Sequence, residues 1–297
     1  MMPWFELLLR PTLVVAAIAY LFLAIKVARS SPQHAYNVMA FFMLLIGMLV
    51  GGGAFSYGAE DLTIYGIGRV MVFFASGFLP VAFYIVYREY TDGPPHPLLI
   101  AFLAVIPIAT TLLALTNSMH EMIWRVIETP QGVQVSDVSD HPWFNRVQAP
   151  FMYGLFIYSA FALASRLPSI APAHRKTVML LLGCAILPFV VSVSNIYLGM
   201  GPKDFPFTAV SFVVMLPFLG YAAVSMRFYE FSPIAYKTLF DHVRDPIFVL
   251  DHEERIVCVN RSAQDLLGAP ERDLIGHKLW EDFPEAREIV RRASELD

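Results

Sequence analysis

The chain has 297 residues, 57% of them hydrophobic and only 15% charged, with a formal net charge of −4. Soluble globules average roughly 45–50% apolar and about 25% charged residues, so these few ionic groups cannot build a water-facing surface for the whole molecule. The composition excludes a protein that is soluble over its full length, and nothing in it points to a nucleic-acid partner.

The chain opens with MMPWFELLLRPTLVVAAIAYLFLAIKVARS, in which Lys26 and Arg29 follow the apolar run. A secretory signal places its positive charge first, so this stretch predicts a first transmembrane helix that starts outside. A helix needs about 20 mostly apolar residues to cross a bilayer. Seven stretches qualify: 9–29, 36–57, 64–87, 97–117, 148–166, 177–198 and 206–226. Turn formers and charges separate them, as in SSPQH, DGPPHP and GMGPKDFP. Pro80, Pro107, Pro188 and Pro217 fall inside spans, where neighbouring helices and water can satisfy the freed backbone groups, and they predict kinks. Gly47-x-x-x-Gly51 in the second span fits a close helix contact.

Orientation follows from the Lys/Arg bias of short loops. Lys26, Arg29, Arg88, Arg166, Arg175, Lys176 and Arg227 fall on one side, and Arg10, Arg125, Arg146 and Lys203 on the other, diluted by acidic residues. The N-terminus is therefore expected outside and everything after residue 227 in the cytoplasm. Residues 118–147 become the largest external segment, with Trp124 and Trp143 as candidate interfacial anchors.

After Arg227 the chain turns charged. FSPIAYKTLFDHV predicts a connecting helix, and PIFVLD and RIVCVN alternate with period two around a polar turn, as paired strands do. Asn260 is placed to cap the helix RSAQDLL, which Gly268 would end. ERDLIGHKLWEDF predicts a further short helical stretch. Asp251, Arg255-Ile256-Val257, Asn260, Ala263, Leu266-Leu267-Gly268 and Leu274-Ile275-Gly276 resemble the opening half of a PAS domain. That family continues with further strands, so the domain is expected to be incomplete and the chain to be a piece of a longer protein.

Seven spans running through a connector into PAS resemble the N-terminal seven-transmembrane region of bacterial sensor histidine kinases, a region also found ahead of diguanylate cyclase domains. Thr116-Asn117 with His120 and Trp124, Pro188 with Asn195-Ile196-Tyr197 and Gly199, and Phe231-x-Pro233-x-Ala235 carry the likeness. The resemblance implies a receptor in the bacterial inner membrane that passes an external or membrane-borne signal to a cytoplasmic output module; from the residues themselves a small amphipathic or apolar signal molecule is expected. It implies a homodimer that reaches a response regulator through output domains beyond this chain; the alternative output is a cyclase. The expected fold is an all-α seven-helix transmembrane bundle, N-terminus out and C-terminus in, followed by a partial α+β PAS-like domain. The expected divisions are 1–227, 228–243 for the connector, and 244–297.

No catalytic set is expected within the chain. His242-Val-Arg-Asp-Pro246 departs from a phosphoacceptor box in its proline spacing and lacks the acidic residue after the histidine. There is no ATP-binding glycine box and no GGDEF stretch. Cys184 and Cys258 read as small buried hydrophobes, and no metal, flavin or haem is expected. The last span lacks the lysine a retinal receptor needs for its Schiff base. A transporter is the weaker rival, because the spans carry no deep acidic residue and no inverted repeat of broken helices.

Polar groups inside spans usually face the bundle interior and are functional candidates. Running each helix in its expected direction places Arg69, Asn117, His120, Tyr153, Ser192, Asn195 and Ser211 in one outer layer. Phe73, Phe74 and Phe151 are candidate apolar walls of a ligand pocket there. The competing structural readings are an ion pair from Arg69 to Glu60 or Asp61, and interhelical hydrogen bonding by Ser192 and Asn195. The relay to PAS is expected to use Pro188 and Pro217 as hinges and to run through Arg227 and Pro233.

Overall fold

The computed structural model describes residues 4–30, 34–59, 61–91, 93–129, 132–135, 141–170, 172–200, 205–225, 240–251 and 255–278. The chain divides into two compact units, Met1–Glu230 and Phe231–Asp297. Arg227, Pro233 and most of the connector lie outside the described residues.

The first unit is a helical bundle. Its long helices are α1 (Trp4–Ser30), α2 (His34–Ser56), α3 (Leu62–Thr91) and α4 (Pro97–Leu115). A single turn, α5 (Asn117–His120), precedes α6 (Ala149–Ser165), α7 (Pro172–Leu198) and α8 (Phe207–Ser225). Six of the described helices are long and apolar enough to cross a membrane, and a shorter apolar stretch, Phe207–Tyr221, follows them within α8. All seven predicted spans fall on helices, with ends displaced by a few residues, as fraying and capping allow.

Burial sorts the helices. In α2 and α3, 72% and 61% of the apolar window is covered by protein, against 17% in α4. The central pair can touch closely because glycines meet there. A Cβ added at Gly68 would stand 2.7 Å from the Gly52 carbonyl oxygen and 2.7 Å from the Ser56 nitrogen. Gly47 faces Tyr20 and Ala17 of α1, and Gly51 also meets Ala17, so the predicted glycine pair does mark a close contact. Buried Tyr20 donates its hydroxyl to the Phe212 carbonyl at 2.7 Å, tying α1 to α8. At the C-terminal end of α3, buried Glu89 bonds His34 at 2.7 Å.

Asp61 caps the start of α3, accepting from the N–H groups of Thr63 and Ile64 at 2.7 and 3.0 Å. The Ile64 bond, then the Thr63 bond, hold its carboxyl below the ordinary range. A depressed carboxyl stabilises the folded state above its ordinary pKa and loses that contribution only as pH falls through the lowered value.

The segment between α5 and α6, expected as the largest external one, contains a hairpin, β1 (Val126–Thr129) against β2 (Gly132–Val135), antiparallel with Val126 opposite Val135. A π-helical turn, Phe144–Gln148, then leads into α6. Trp143 donates its indole N–H to Thr110 at 3.0 Å, and Trp124 is buried, so neither behaves as a free interfacial anchor.

The second unit pairs β3 (Phe248–Leu250) with β4 (Ile256–Val259) in antiparallel register, Phe248 opposite Val259, with a bulge after Val249. Two short helices follow, α9 (Arg261–Leu267) and α10 (Glu271–Leu274). Asn260 is fully buried and anchors the unit. Its Oδ1 accepts from Ala263 and Ile247, while its Nδ2 donates to the carbonyls of Val243 and Asp245. Gly268, at φ 65°, ends α9 as predicted. Ile256, Val259, Ala263 and Leu274 form the small core.

Candidate ligand site between the helices

A cavity of about 1110 Å³ lies within the helical unit, just above the roughly 300–1,000 Å³ range typical of ligand sites. The helical repeat explains who lines it. On α3, Tyr65, Arg69, Val72, Phe73, Ser76, Pro80 and Phe83 recur at three- and four-residue intervals and share one face. On α7 the same spacing brings Pro188, Ser192 and Asn195 to the cavity, with Gly199 just past its end. The ends of α1, α2 and α8 close it with Arg10, Ser56 and Thr208.

Of the predicted site residues, Arg69, Tyr153, Ser192 and Asn195 line this cavity, as does the hinge candidate Pro188. Tyr153 and Ser192 share a hydroxyl–hydroxyl bond of 2.9 Å, which joins α6 to α7. The Asn195 amide has no hydrogen-bond partner among the described residues.

Asn117, His120 and Ser211 do not line the cavity. Asn117 is buried and folds back on the next loop. Its Oδ1 accepts from the N–H groups of Ile123 and Trp124 at 3.1 and 3.4 Å, and its Nδ2 donates to the Trp124 carbonyl at 2.8 Å. His120 closes the same turn, taking the Met122 N–H at 3.0 Å and meeting Thr116 at 3.1 Å. Ser211 bonds the Thr208 carbonyl at 2.6 Å within its own helix. Phe73 lines the cavity, whereas Phe74 and Phe151 pack in the main core. Pro217 also lies away from the lining.

Arg69 is the chemically decisive side chain. Its guanidinium carbon stands 5.0 Å from the centroid of the Phe73 ring and 5.6 Å from that of Trp124. Those two rings stack at 5.5 Å with planes 13° apart, so the loop held by Asn117 supplies half of the aromatic platform. The Arg69 Nε is buried and has no hydrogen-bond partner among the described residues. Asp61, one of its two expected ion partners, is instead engaged with the α3 backbone; Glu60 lies outside the described residues. A desolvated cation–π contact contributes about 2 kcal/mol, but a ring face accepts no conventional hydrogen bond, and the Nε donor stays unmet among the described residues.

Sequence reasoning assigned Arg10 only to the loop-charge count. It lies at the cavity with Nε donating to Ala54 and Nη1 to Gly58, both at 3.3 Å. The missed signal is its depth: Arg10 is six residues into α1 and Arg69 seven into α3, so both cations enter the bundle by nearly two turns. Trp124 was likewise assigned to the interface because sequence carries no record of which loop residue folds inward.

Among the described residues no Asp, Glu, His or Cys lines the cavity, and no group of three or more potential ligands is placed to hold a metal ion.

Residues 12–233 match the family described as the N-terminal 7TM region of histidine kinase, and residues 235–296 match the PAS fold. No curated protein matches the chain. With the first match spanning most of its length, the chain belongs to the family of N-terminal seven-transmembrane regions of histidine kinases, an integral membrane sensor region followed by PAS.

Proposed function

We propose that this chain is the receptor end of a membrane histidine kinase, in which a small amphipathic or apolar molecule occupies the cavity between the helices and changes how they pack. The observation that carries this reading is the cavity of about 1110 Å³ with Arg69 at its wall, its Nε lacking a hydrogen-bond partner among the described residues. A ligand shifts an equilibrium only by binding one arrangement better than another. The cavity touches α3, α6, α7 and α8, so an occupant bears on several helix contacts at once. In this reading seven spans run from an outer N-terminus to a cytoplasmic PAS segment, and the ligand enters from the outer half. The divisions are 1–227 for the sensor, 228–243 for the connector and 244–297 for the opening part of PAS. A homodimer then carries the change to output domains and their response regulator. The family match names histidine kinases, which favours that output over a cyclase.

Native mass spectrometry of the detergent-purified chain tests the reading. A discrete adduct that survives washing in the wild type and is lost in Arg69→Ala is the expected result. An empty wild type would make the cavity a packing defect, and an adduct indifferent to Arg69 would take that side chain out of the binding site. The relay is proposed to bend α7 and α8 at Pro188 and Pro217, which removes one backbone hydrogen bond at each site. In the full-length kinase, Pro217→Ala should flatten the ligand response of autophosphorylation while leaving ligand binding intact. A response equal to wild type would remove the hinge from the mechanism.

A further inference from the structure

The distribution of polarity along the cavity specifies more than occupancy. Its lining follows α3 from Tyr65 to Phe83, which at 1.5 Å per residue is roughly 27 Å, close to the ~30 Å of a hydrocarbon core. The polar groups gather at one end, where Arg10, Ser56, Tyr65, Arg69, Asn195 and Thr208 converge. The other end, around Phe42, Leu79, Pro80, Phe83 and Phe156, is apolar. At the polar end Arg69 and Arg10 both line the same space, and among the described residues no carboxylate does. The Arg69 Nε is buried and partnerless among the described residues. Arg10 uses Nε and Nη1 on backbone carbonyls, and a guanidinium has further donors to offer. A neutral, apolar occupant would leave these donors dry, and a cation would be repelled.

We propose that the cavity takes an anionic amphiphile, its carboxylate, phosphate or sulfate head between Arg69 and Arg10 and its hydrocarbon chain lying along α3 toward Pro80 and Phe83. This rests on the receptor reading above and narrows it to a ligand class. Arg69 provides a charge-assisted contact held against Phe73 and Trp124, and the Asn195 amide is free to bond the same head. Exposed Val14, Val15 and Phe55 also line the cavity, so its mouth opens on a helix surface where acyl chains lie, and the ligand slides in sideways from the bilayer.

The test uses the whole chain in phosphatidylcholine nanodiscs and measures equilibrium binding of radiolabelled dodecanoate, dodecanol and dodecyltrimethylammonium. Dodecanoate should bind about tenfold or more tighter than dodecanol, the scale of one charge-assisted interaction, and the ammonium should not bind. Arg69→Gln and Arg10→Gln should each remove most of that preference, Arg69→Lys should keep part of it, and Leu79→Trp should block both dodecanoate and dodecanol at the apolar end. Equal binding of acid and alcohol, indifferent to both arginines but blocked by Leu79→Trp, would overturn the anionic head and leave the receptor reading standing. Binding of no probe, or binding unmoved by every substitution, would overturn both. Adding phosphatidylglycerol to the discs separates the sources. Competition that requires Arg69 makes the ligand a membrane lipid, and its absence makes it a free amphiphile.

Discussion

Asn117 opens α5 just past the end of α4, where an amide within hydrocarbon reach looks like a ligand contact, yet its three hydrogen bonds all go to the loop 123–124. Its service to the site is indirect: it fixes Trp124 beneath Arg69. Removing it leaves the buried N–H of Ile123 and Trp124 without their acceptor, and an unsatisfied buried group costs about 1–3 kcal/mol. Asn117→Ala should therefore lower the melting temperature in detergent and red-shift the Trp124 emission as water reaches the ring. An unchanged spectrum would mean that the loop is held by its other contacts, such as buried Ile123. Residue type and depth were legible for Arg69, Tyr153, Ser192 and Asn195 because regular helices carry them, so counting residues gives both height and face. For Asn117, His120 and Trp124 the chain leaves the helix, and the loop's path decides what each side chain meets.

At the scale of elements, hydropathy located every long helix because a run of apolar residues and a bilayer-length helix are the same physical constraint. It missed the β1–β2 hairpin, four residues a side, because Glu128, Thr129 and Gln134 break the apolar alternation. It also passed over the tightest contact. The pair spaced four apart, Gly47 and Gly51, was visible within one helix, whereas Gly52 and Gly68 form a pair only across two. The packing there makes a sharp prediction. Gly68→Ala places a methyl 2.7 Å from backbone atoms of α2, which neither helix can move away without parting. It should cost about 1–3 kcal/mol, the range for overpacking a close contact, and appear as poor yield and a lowered melting temperature. Gly66→Ala, two residues earlier with nothing within 4 Å, should be neutral or slightly stabilising because alanine favours the helix. Equal behaviour of the two variants would show that α2 and α3 do not meet through these glycines.

For the molecule as a whole, the direction of insertion decides what kind of signal the site can meet. The polar end of the cavity is built from the starts of α1, α3 and α8 and the ends of α2 and α7. In the orientation proposed from the Lys/Arg bias, that end lies outside and Cys258 of the second unit lies in the cytoplasm. An amphiphile would then present its head from the outer leaflet and report on the surroundings of the cell. Reversed insertion would turn the same arginines toward the cytoplasm and make the chain a monitor of internal lipid. A pair of single-cysteine variants separates the two. With Cys184→Ala in place, Cys258 alone should resist a membrane-impermeant maleimide in intact cells and react after permeabilisation. Ser139→Cys, in the segment between α5 and α6 and in a background that also carries Cys258→Ser, should react before permeabilisation. The opposite pattern would invert the bundle. Arg69 would still face the same cavity, but the ligand would have to come from inside the cell.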